Sequence, residues 1–293
     1  MTELEHLDGV PVAHRRVQLS EVALHVAEAG EGDRLVVLLH GFPEHWYSWR
    51  AQIPALVRAG YRVAAPDMRG YNTSDKPPNV SDYDVSKLAA DVDQLVAALG
   101  ATRADVVGHD WGGAVAWCFA MFHPRRLRKL VVMNAPHPVH YQTLVRRDLE
   151  QVRLSWYVLF FQLPVLPEQF ISRNNYAALG DAFLGLRTRG RMSEEELQRY
   201  KDAFSQPKAL TSAINYYRAA VRRSVRERLQ HVPVSAPVQV IWGQRDHYLK
   251  ADLAEPLPGL APDLRVDRIP EASHFVHMDQ PERVNELLLE FLR

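Results

Sequence analysis

The chain has 293 residues, of which 47% are hydrophobic and 24% are charged, a composition typical of a folded globular protein with a sizeable core. Lys plus Arg equals Asp plus Glu at 35 each, so no net charge would attract nucleic acid or an anionic membrane. We therefore expect neither nucleic acid nor a membrane as a partner.

Strand and helix patterns alternate through the first half of the chain. The stretch RRVQLSEVALHVAE alternates like an antiparallel hairpin, and aliphatic runs at residues 34–41 and 61–67 are typical of parallel strands buried on both faces. Apolar residues at helical spacing predict a helix over residues 84–99. Strands at ADVVGHD and LRKLVVMNAP flank another helix over residues 112–123. This alternation predicts an α/β fold with a mostly parallel sheet and helices on both faces.

The alternation stops between Asn134 and Val238, a gap of roughly 100 residues that is far longer than a connecting loop. A capping box at Ser193 and helical spacing through QPKALTSAINYYRAAVRRSVRERL indicate helices in this gap. We predict a helical cap over residues 137–232, inserted between core segments 1–136 and 233–293. The core resumes with strands at VQVIWG and LRVDRIP and ends with a helix over PERVNELLLEFL.

The chemistry is indicated by the stretch GHDWG, residues 108–112, which has the spacing of a Gly-x-nucleophile-x-Gly turn between a strand and a helix. Asp110 stands where serine is usual. Serine attack on a saturated carbon would leave an ether, whereas carboxylate attack leaves an ester that water can cleave at the carbonyl of the enzyme. Because carboxylates are ionised at neutral pH, the sequence predicts that Asp110 attacks an electrophilic sp3 carbon.

Cleavage of that ester needs a base, and two later strand ends supply candidates. Asp246 follows VQVIWG, and His274 follows LRVDRIP, which gives the chain order nucleophile, acid, histidine. We predict that Asp246 orients His274, which activates water. His277 is the alternative base. The two histidines could also bind a metal, but we expect no Cys or acidic ligand to cluster with them and complete a site, so we predict neither a metal nor a cofactor.

The tetrahedral intermediate of ester cleavage requires amide donors close to Asp110. The backbone N–H of Trp111 directly follows the nucleophile. A second donor is expected from the loop HGFPE that follows an early strand, which makes the N–H of Phe42 the candidate.

With these features together, the chain resembles the α/β-hydrolase family of epoxide hydrolases from about Val22 to the C-terminus. The resemblance rests on HGFPEHWYSWR, PDMRGYNTSD, GHDWGG, NAPHP, FFQLP, INYYR and SHFVHMDQPERV. It implies an α/β-hydrolase fold with an inserted cap. It also implies a cofactor-independent hydrolase acting on ether bonds, whose substrates are a small-molecule epoxide and water and whose product is a vicinal diol.

The resemblance implies further site residues. In that family two cap tyrosines hold and protonate the epoxide oxygen, and Tyr157 and Tyr217 match them here, with Tyr216 as the alternative to Tyr217. Chemistry requires such groups independently, because an alkoxide leaves poorly unless an acid donates a proton to it. Glu44 matches a carboxylate that helps to position the hydrolytic water.

The cap segment around Tyr157 is apolar, which indicates an aryl or alkyl epoxide rather than a charged one. We predict that Trp156 and Phe160 line the substrate pocket.

Two other functions remain open. Haloalkane dehalogenases share the Asp-Trp pair at residues 110–111 but typically carry Asn in place of Phe42. Fluoroacetate dehalogenases typically carry Arg in place of Trp111. A haloalkane or haloacid dehalogenase is thus the alternative. A non-catalytic ligand-binding protein of the same fold is more remote, since it should have lost part of this machinery.

The location is predicted from Cys118 and two segments. A single cysteine cannot form an internal disulfide framework, and the N-terminal MTELEHLDGVPVAHRR lacks the pattern of a secretory signal. The longest apolar run, LSWYVLFFQLPVL, is interrupted and too short to span a bilayer. We expect a cytoplasmic enzyme, with a homodimer as a candidate assembly.

Overall fold

The structure, a computed structural model, describes residues 4–222, 229 and 231–293. Within these residues, nine strands form one sheet. The strands are β1 Leu4–Leu7, β2 Val10–Gln18, β3 Ala23–Ala29, β4 Leu35–Leu39, β5 Arg62–Pro66, β6 Ala104–His109, β7 Leu127–Met133, β8 Val238–Gly243 and β9 Leu264–Ile269.

The strands lie in the order β1-β2-β3-β5-β4-β6-β7-β8-β9. The first three pairs, from β1 to β5, are antiparallel, and every later pair is parallel. This confirms the predicted α/β fold; the predicted antiparallel hairpin is β2–β3, and the edge beside it is formed by β1, a strand that was not predicted. All residues of β4, β6 and β8 are buried, as expected for parallel strands covered on both faces.

Helices cover both faces of the sheet and fill the long gap between β7 and β8. They are α1 Gln52–Arg58, α2 Val85–Ala98, α3 Trp111–Phe122, α4 Pro138–Leu144, α5 Leu149–Leu154, α6 Trp156–Phe160, α7 Leu166–Ala182, α8 Leu184–Thr188, α9 Glu194–Ser205, α10 Ala209–Arg222, α11 Val276–Asp279 and α12 Pro281–Leu292. Short 3-10 turns occupy Trp46–Trp49, Val80–Tyr83 and Ala251–Ala254.

The hydrophobic core has two parts, one on each face of the sheet. On one face α2 and α3 pack with residues of the gap helices, including Phe161 and Ile214. On the other face α1 packs with α12, together with residues of α8 and α9. The sheet is therefore enclosed, and its carboxyl edge is left as the place where loops from different strands meet.

The gap between β7 and β8 holds α4 to α10, within the predicted cap of residues 137–232; the boundaries of that cap and of the two core segments stay a prediction. The capping box at Ser193 is confirmed, because its hydroxyl accepts from the N–H of Glu196 while Glu196 accepts from the N–H of Ser193. The predicted helical spacing across residues 223–228 lies outside the described residues. Non-helical backbone at residues 173–176 interrupts α7. No helix in the described ranges has both the length and the apolar character needed to cross a membrane.

Candidate active site

Side chains from five strand ends meet at the carboxyl edge of the sheet. Asp110 follows β6, Phe42 lies in the loop after β4, and Asn134 follows β7. Asp246 comes three residues after β8, and His274 follows β9. Because these strands are parallel, their carboxyl ends share one edge, which is where α/β sheets place their ligands.

Asp110 sits at a sharp turn between β6 and α3. Its backbone has φ 48° and ψ −118°, a conformation that residues other than glycine rarely adopt. The turn is tight enough that a Cβ on Gly112 would lie 2.0 Å from the carbonyl oxygen of Leu39. A Cβ on Gly41 would lie 2.5 Å from the Cβ of Asp110. The glycines of GHDWG and HGFP are therefore required by close approach, and they hold the carboxylate of Asp110 against the loop after β4.

Asp110, His274 and Asp246 form a contiguous chain. The Nε2 atom of His274 lies 3.5 Å from Oδ2 of Asp110, and its Nδ1 lies 2.7 Å from Oδ2 of Asp246. Asp246 is fixed in turn, since its Oδ1 accepts from the N–H groups of Tyr248 and Leu249. The sequence prediction of these three residues thus corresponds to one hydrogen-bonded arrangement.

The charges around His274 set its protonation. Burial disfavours an imidazolium, but the carboxylates of Asp246 and Asp110 outweigh it and raise the pKa of His274 to about 10. Burial likewise works to raise the pKa of Asp246, yet His274 and hydrogen-bond donors hold that pKa below its usual value. His274 is therefore an imidazolium between two carboxylates at neutral pH, as long as Asp110 carries its charge.

The loop after β4 presents a backbone donor to the nucleophile. The N–H of Phe42 donates to Oδ1 of Asp110 at 2.8 Å. Trp111 begins α3 directly after Asp110, so its N–H is one of the amides at that helix start without a helical acceptor. The N–H of Phe42 thus contacts the carboxylate of Asp110, and the N–H of Trp111 belongs to the adjacent residue.

Glu44 lies behind this loop in a fully buried cluster with His109 and His277. Its Oε2 is 2.8 Å from Nδ1 of His109 and also accepts from the N–H of Gly41, and its Oε1 is 3.2 Å from Nε2 of His277. Burial favours a higher pKa for Glu44, but the two histidines outweigh it and hold this pKa well below its usual range. The predicted water-positioning residue is thus an ionised carboxylate held by two rings.

The same cluster joins Glu44 to the catalytic histidine. Nε2 of His109 lies 2.9 Å from the carbonyl oxygen of His274. The two ring nitrogens of His109 thus contact the carboxylate of Glu44 and the backbone of His274. His277 contacts Glu44, whereas the ring of His274 contacts both Asp110 and Asp246. His274 is therefore the residue placed to act as base. The donor atoms of Glu44, His109 and His277 lie within 4.8 Å of one another and could also hold a metal, a combination that spacing along the chain does not reveal.

Two predicted tyrosines face Asp110 from the cap helices. Tyr157 lies on α6 and Tyr217 on α10, and their ring centroids are 5.8 Å apart. Burial, together with the nearby charge of Asp110, raises the pKa of both phenols well above the ordinary value. Both hydroxyls therefore stay protonated and able to donate. Tyr216 differs, because its hydroxyl already donates to the carbonyl oxygen of Arg69 at 2.8 Å.

A cavity of about 460 Å³ joins these groups. Its wall is mostly apolar, and Asp110, Trp111, Tyr157 and Tyr217 all line it. Val221 also lines it but is 53% exposed, which marks the mouth. A cavity of this size and character fits a small apolar molecule with one polar reacting group.

The structure corrects two predicted pocket residues. Trp156 and Phe160 are not part of the cavity wall, whereas their neighbours Tyr157, Val158 and Leu159 are. Successive helical residues point in directions about 100° apart, so Tyr157 can face the cavity while Trp156 turns outward and is 60% exposed. Phe160 instead contacts the ring of Phe170.

Asn134 was not singled out by the sequence. Its Nδ2 donates to Oδ2 of Asp246 at 2.7 Å, and its Oδ1 accepts from the N–H of Gly243 at 2.8 Å. Its φ of 40° turns the side chain towards β8. The sequence signal for Asn134 was its position as a polar residue directly after the aliphatic run of β7. The sequence signal for the Glu44 cluster was the position of His109 directly before the nucleophile.

Comparison with known proteins extends over nearly the whole chain. The family model described as alpha/beta hydrolase fold matches residues 34–281. The chain is 42% identical to the AB hydrolase superfamily protein YfhM of Bacillus subtilis, over 98% of this chain and 99% of that protein. It is 37% identical to epoxide hydrolase 4 of Mus musculus, over 95% of this chain and 78% of that protein.

Solved structures give the same result. An epoxide hydrolase from Bacillus megaterium in complex with an inhibitor matches with a TM-score of 0.88 and 28% identity, covering 95% of this chain and 99% of that chain. Epoxide hydrolase A from Mycobacterium thermoresistibile matches with a TM-score of 0.85 and 33% identity, covering 96% and 98%.

Proposed function

The chain belongs to the epoxide hydrolases of the α/β-hydrolase fold family, and on that premise we propose that it converts epoxides into vicinal diols through an ester formed on Asp110. The observation that carries the proposal is a carboxylate nucleophile 3.5 Å from the ring of His274, with two phenols lining the same mostly apolar cavity. No cofactor takes part in any step.

Asp110 performs the first step by attacking one ring carbon of the epoxide. Its oxygen forms the new C–O bond while the strained ring C–O bond breaks, and the electron pair moves to the epoxide oxygen. The phenols of Tyr157 and Tyr217 hydrogen-bond that oxygen, and one of them gives it a proton. Since both phenols are neutral, they supply donors without a competing charge beside Asp110.

Ester formation converts His274 into a base. Once Asp110 is an ester it has no negative charge, so one of the two carboxylates that stabilise the imidazolium is gone and the pKa of His274 falls. The proton that His274 then releases to solvent balances the proton that restores the phenol. The net charge of the site is therefore the same before and after ring opening.

Water cleaves the ester in the second step. Neutral His274 takes a proton from water, and the hydroxide attacks the carboxyl carbon of Asp110. The N–H groups of Phe42 and Trp111 hold the oxyanion, and its collapse expels the diol and regenerates the carboxylate. The proton that stays on the attacking hydroxyl group moves to the leaving diol oxygen. His274 keeps the first proton and ends as the imidazolium of the resting enzyme. Glu44, held beside the loop of Phe42, positions the water.

Three finer predictions accompany this proposal. A cytoplasmic location is supported by the single buried Cys118, which leaves no internal pair for a disulfide. The span of α4 to α10, from Pro138 to Arg222, supports a cap within residues 137–232, and limited proteolysis would test its boundaries. A homodimer stays a candidate assembly that light scattering would test.

The test is a product assay on purified protein with styrene oxide and with 1-bromobutane. Diol without free halide is expected; halide without diol would instead establish a dehalogenase. Tyr157→Phe or Tyr217→Phe should each slow ring opening and the double variant should nearly stop it, because a proton donor contributes roughly 10²–10⁴-fold. Tyr216→Phe is the matched control and should retain activity, since its hydroxyl is committed to the carbonyl oxygen of Arg69.

A further inference from the structure

The cap carries an unusual concentration of exposed apolar side chains. Among the described residues, eight of the eleven large hydrophobic side chains that are exposed lie between residues 149 and 170, so they form one surface and are not scattered. We name as the cap stripe Leu149, Val152, Trp156, Leu159, Leu163, Val165, Leu166 and Phe170.

The cap stripe is ordered along α5, α6 and the start of α7. Seven of its members follow one another at alternating spacings of three and four residues, divided among three helices and the connection that holds Leu163. Ring contacts of Phe160 with Trp156 at 5.9 Å and with Phe170 at 5.8 Å between centroids join the middle of the cap stripe to its C-terminal end. Trp156 and Phe170 therefore belong to one apolar surface.

This surface reaches the mouth of the substrate cavity. Val152 and Leu159 belong to the cap stripe, are exposed, and also line the cavity. Val221 of α10 lies outside the cap stripe but is likewise exposed and lines the cavity. Val152, Leu159 and Val221 thus give an apolar molecule a way from the cap stripe into the cavity, whose wall also includes the exposed Arg146.

Arginines with no ion pair among the described residues flank the cap stripe. Arg146, Arg147, Arg153 and Arg173 are exposed, and none has an acidic partner there. The acidic groups of the same segment are already engaged: Asp148 and Glu150 pair with Lys250 at 2.7 and 2.9 Å, and Glu168 pairs with Arg218 at 2.8 Å. The surface around the cap stripe is therefore positive, although the whole chain has no net charge.

We propose that the cap stripe docks on an anionic lipid surface, from which apolar epoxides enter the cavity directly. An apolar protein surface bordered by arginines matches the acyl and headgroup layers of such a surface. A second copy on the same face would bring arginines against arginines and would cover the cavity mouth at Val152 and Leu159. Docking of this kind differs from the expectation, drawn from the sequence, that no membrane is a partner. That expectation rested on the zero net charge of the whole chain, which hides the local excess of arginines beside the cap stripe.

Vesicle sedimentation tests the proposal without any substrate. Wild-type protein should sediment with vesicles of phosphatidylcholine and phosphatidylglycerol and much less with phosphatidylcholine alone. The variants L163Q/L166Q and R147E/R153E should each bind anionic vesicles about tenfold or more weakly, since apolar burial and each arginine near the surface both contribute. None of these residues lines the cavity, so hydrolysis of a water-dispersed epoxide should stay unchanged and reports correct folding.

Matched controls separate the cap stripe from general surface effects. L4Q/L184Q changes two leucines that are 61% and 51% exposed elsewhere, and R125E reverses an exposed arginine away from the cap. Both should bind like wild type; equal losses in these controls would overturn the proposal. So would a lack of wild-type sedimentation, or a wild-type dimer that L163Q/L166Q dissociates. Because vesicle binding is read in the absence of epoxide, its failure is distinct from a failure of the proposed hydrolysis.

Discussion

Neutralising Asp110 should lower the pKa of His274, and Asp110→Asn imitates the loss of charge that ester formation causes. In the wild-type protein the two carboxylates raise this pKa to about 10 against the opposing effect of burial. The Asn variant retains the size of the side chain and the partner Asp246. Any fall in the pKa therefore reports the loss of the Asp110 carboxylate, both its charge and its hydrogen-bond acceptance.

The magnitude follows from the 3.5 Å between Nε2 of His274 and Oδ2 of Asp110. At an effective dielectric constant of about 20, two unit charges at this distance interact by roughly 4–5 kcal/mol, equivalent to about 3 pKa units. The side chain of Asp110 is 17% exposed, so solvent screens part of this interaction. We expect the pKa of His274 to fall by about 1–3 units, which brings the histidine close to the pH at which a base is useful.

Histidine NMR titration measures this change directly. The ring signals of His274 are assigned by their loss in His274→Gln, and the titration is followed in wild type, Asp110→Asn and Asp33→Asn, the last being the same change at an exposed aspartate. A pKa of His274 that is equal in wild type and Asp110→Asn would refute the proposed conversion of the histidine into a base. A fall of similar size in Asp33→Asn would show that the effect is not specific to the pair.

The same pKa predicts how stability depends on pH. A histidine whose pKa is raised on folding stabilises the folded state fully below its unfolded value of about 6.5, and this contribution is lost as pH rises through the folded value of about 10. The free energy of unfolding contributed by His274 should therefore decline between these two values. Urea unfolding across this range, compared with Asp110→Asn, measures the decline, which should be smaller in the variant.

Three further variants test other parts of the site. His274→Gln should still open the epoxide but retain the ester, seen by mass spectrometry as an increase equal to the bound substrate; full turnover would contradict its role as base. Glu44→Gln removes the charged partner of His109 and His277, so chemical denaturation should show that the free energy of unfolding falls by about 1–3 kcal/mol. In single-turnover kinetics the same variant should slow ester cleavage more than it slows ring opening. Gly41→Ala would place a Cβ 2.5 Å from the Cβ of Asp110, so ring opening should fall steeply even where circular dichroism shows an intact fold; unchanged ring opening would contradict the close packing of the turn.

The order of strands and helices along the chain could be predicted from the sequence because each element depends on a local pattern of residues. Aliphatic runs such as residues 34–41 and helical spacing over residues 84–99 correspond to β4 and α2, and parallel pairing follows from their alternation. Asp110 was identifiable because its turn needs glycines at fixed positions beside it. Asp246 and His274 were identifiable because parallel strands bring their carboxyl ends to a single edge.

Other features depend on which side chains meet across the sheet and on the direction in which each helix faces. The contacts of Glu44 with His109 and His277 join three distant segments, and the support of Asp246 by Asn134 crosses from β7 to β8. The sequence by itself determined the strand order along the chain, the nucleophile and the candidate base, since each follows from local periodicity and turn chemistry. Only the tertiary structure decided that Trp156 faces outward while Tyr157 faces the cavity, because the rotation of α6 is set by its packing on the core and not by its composition.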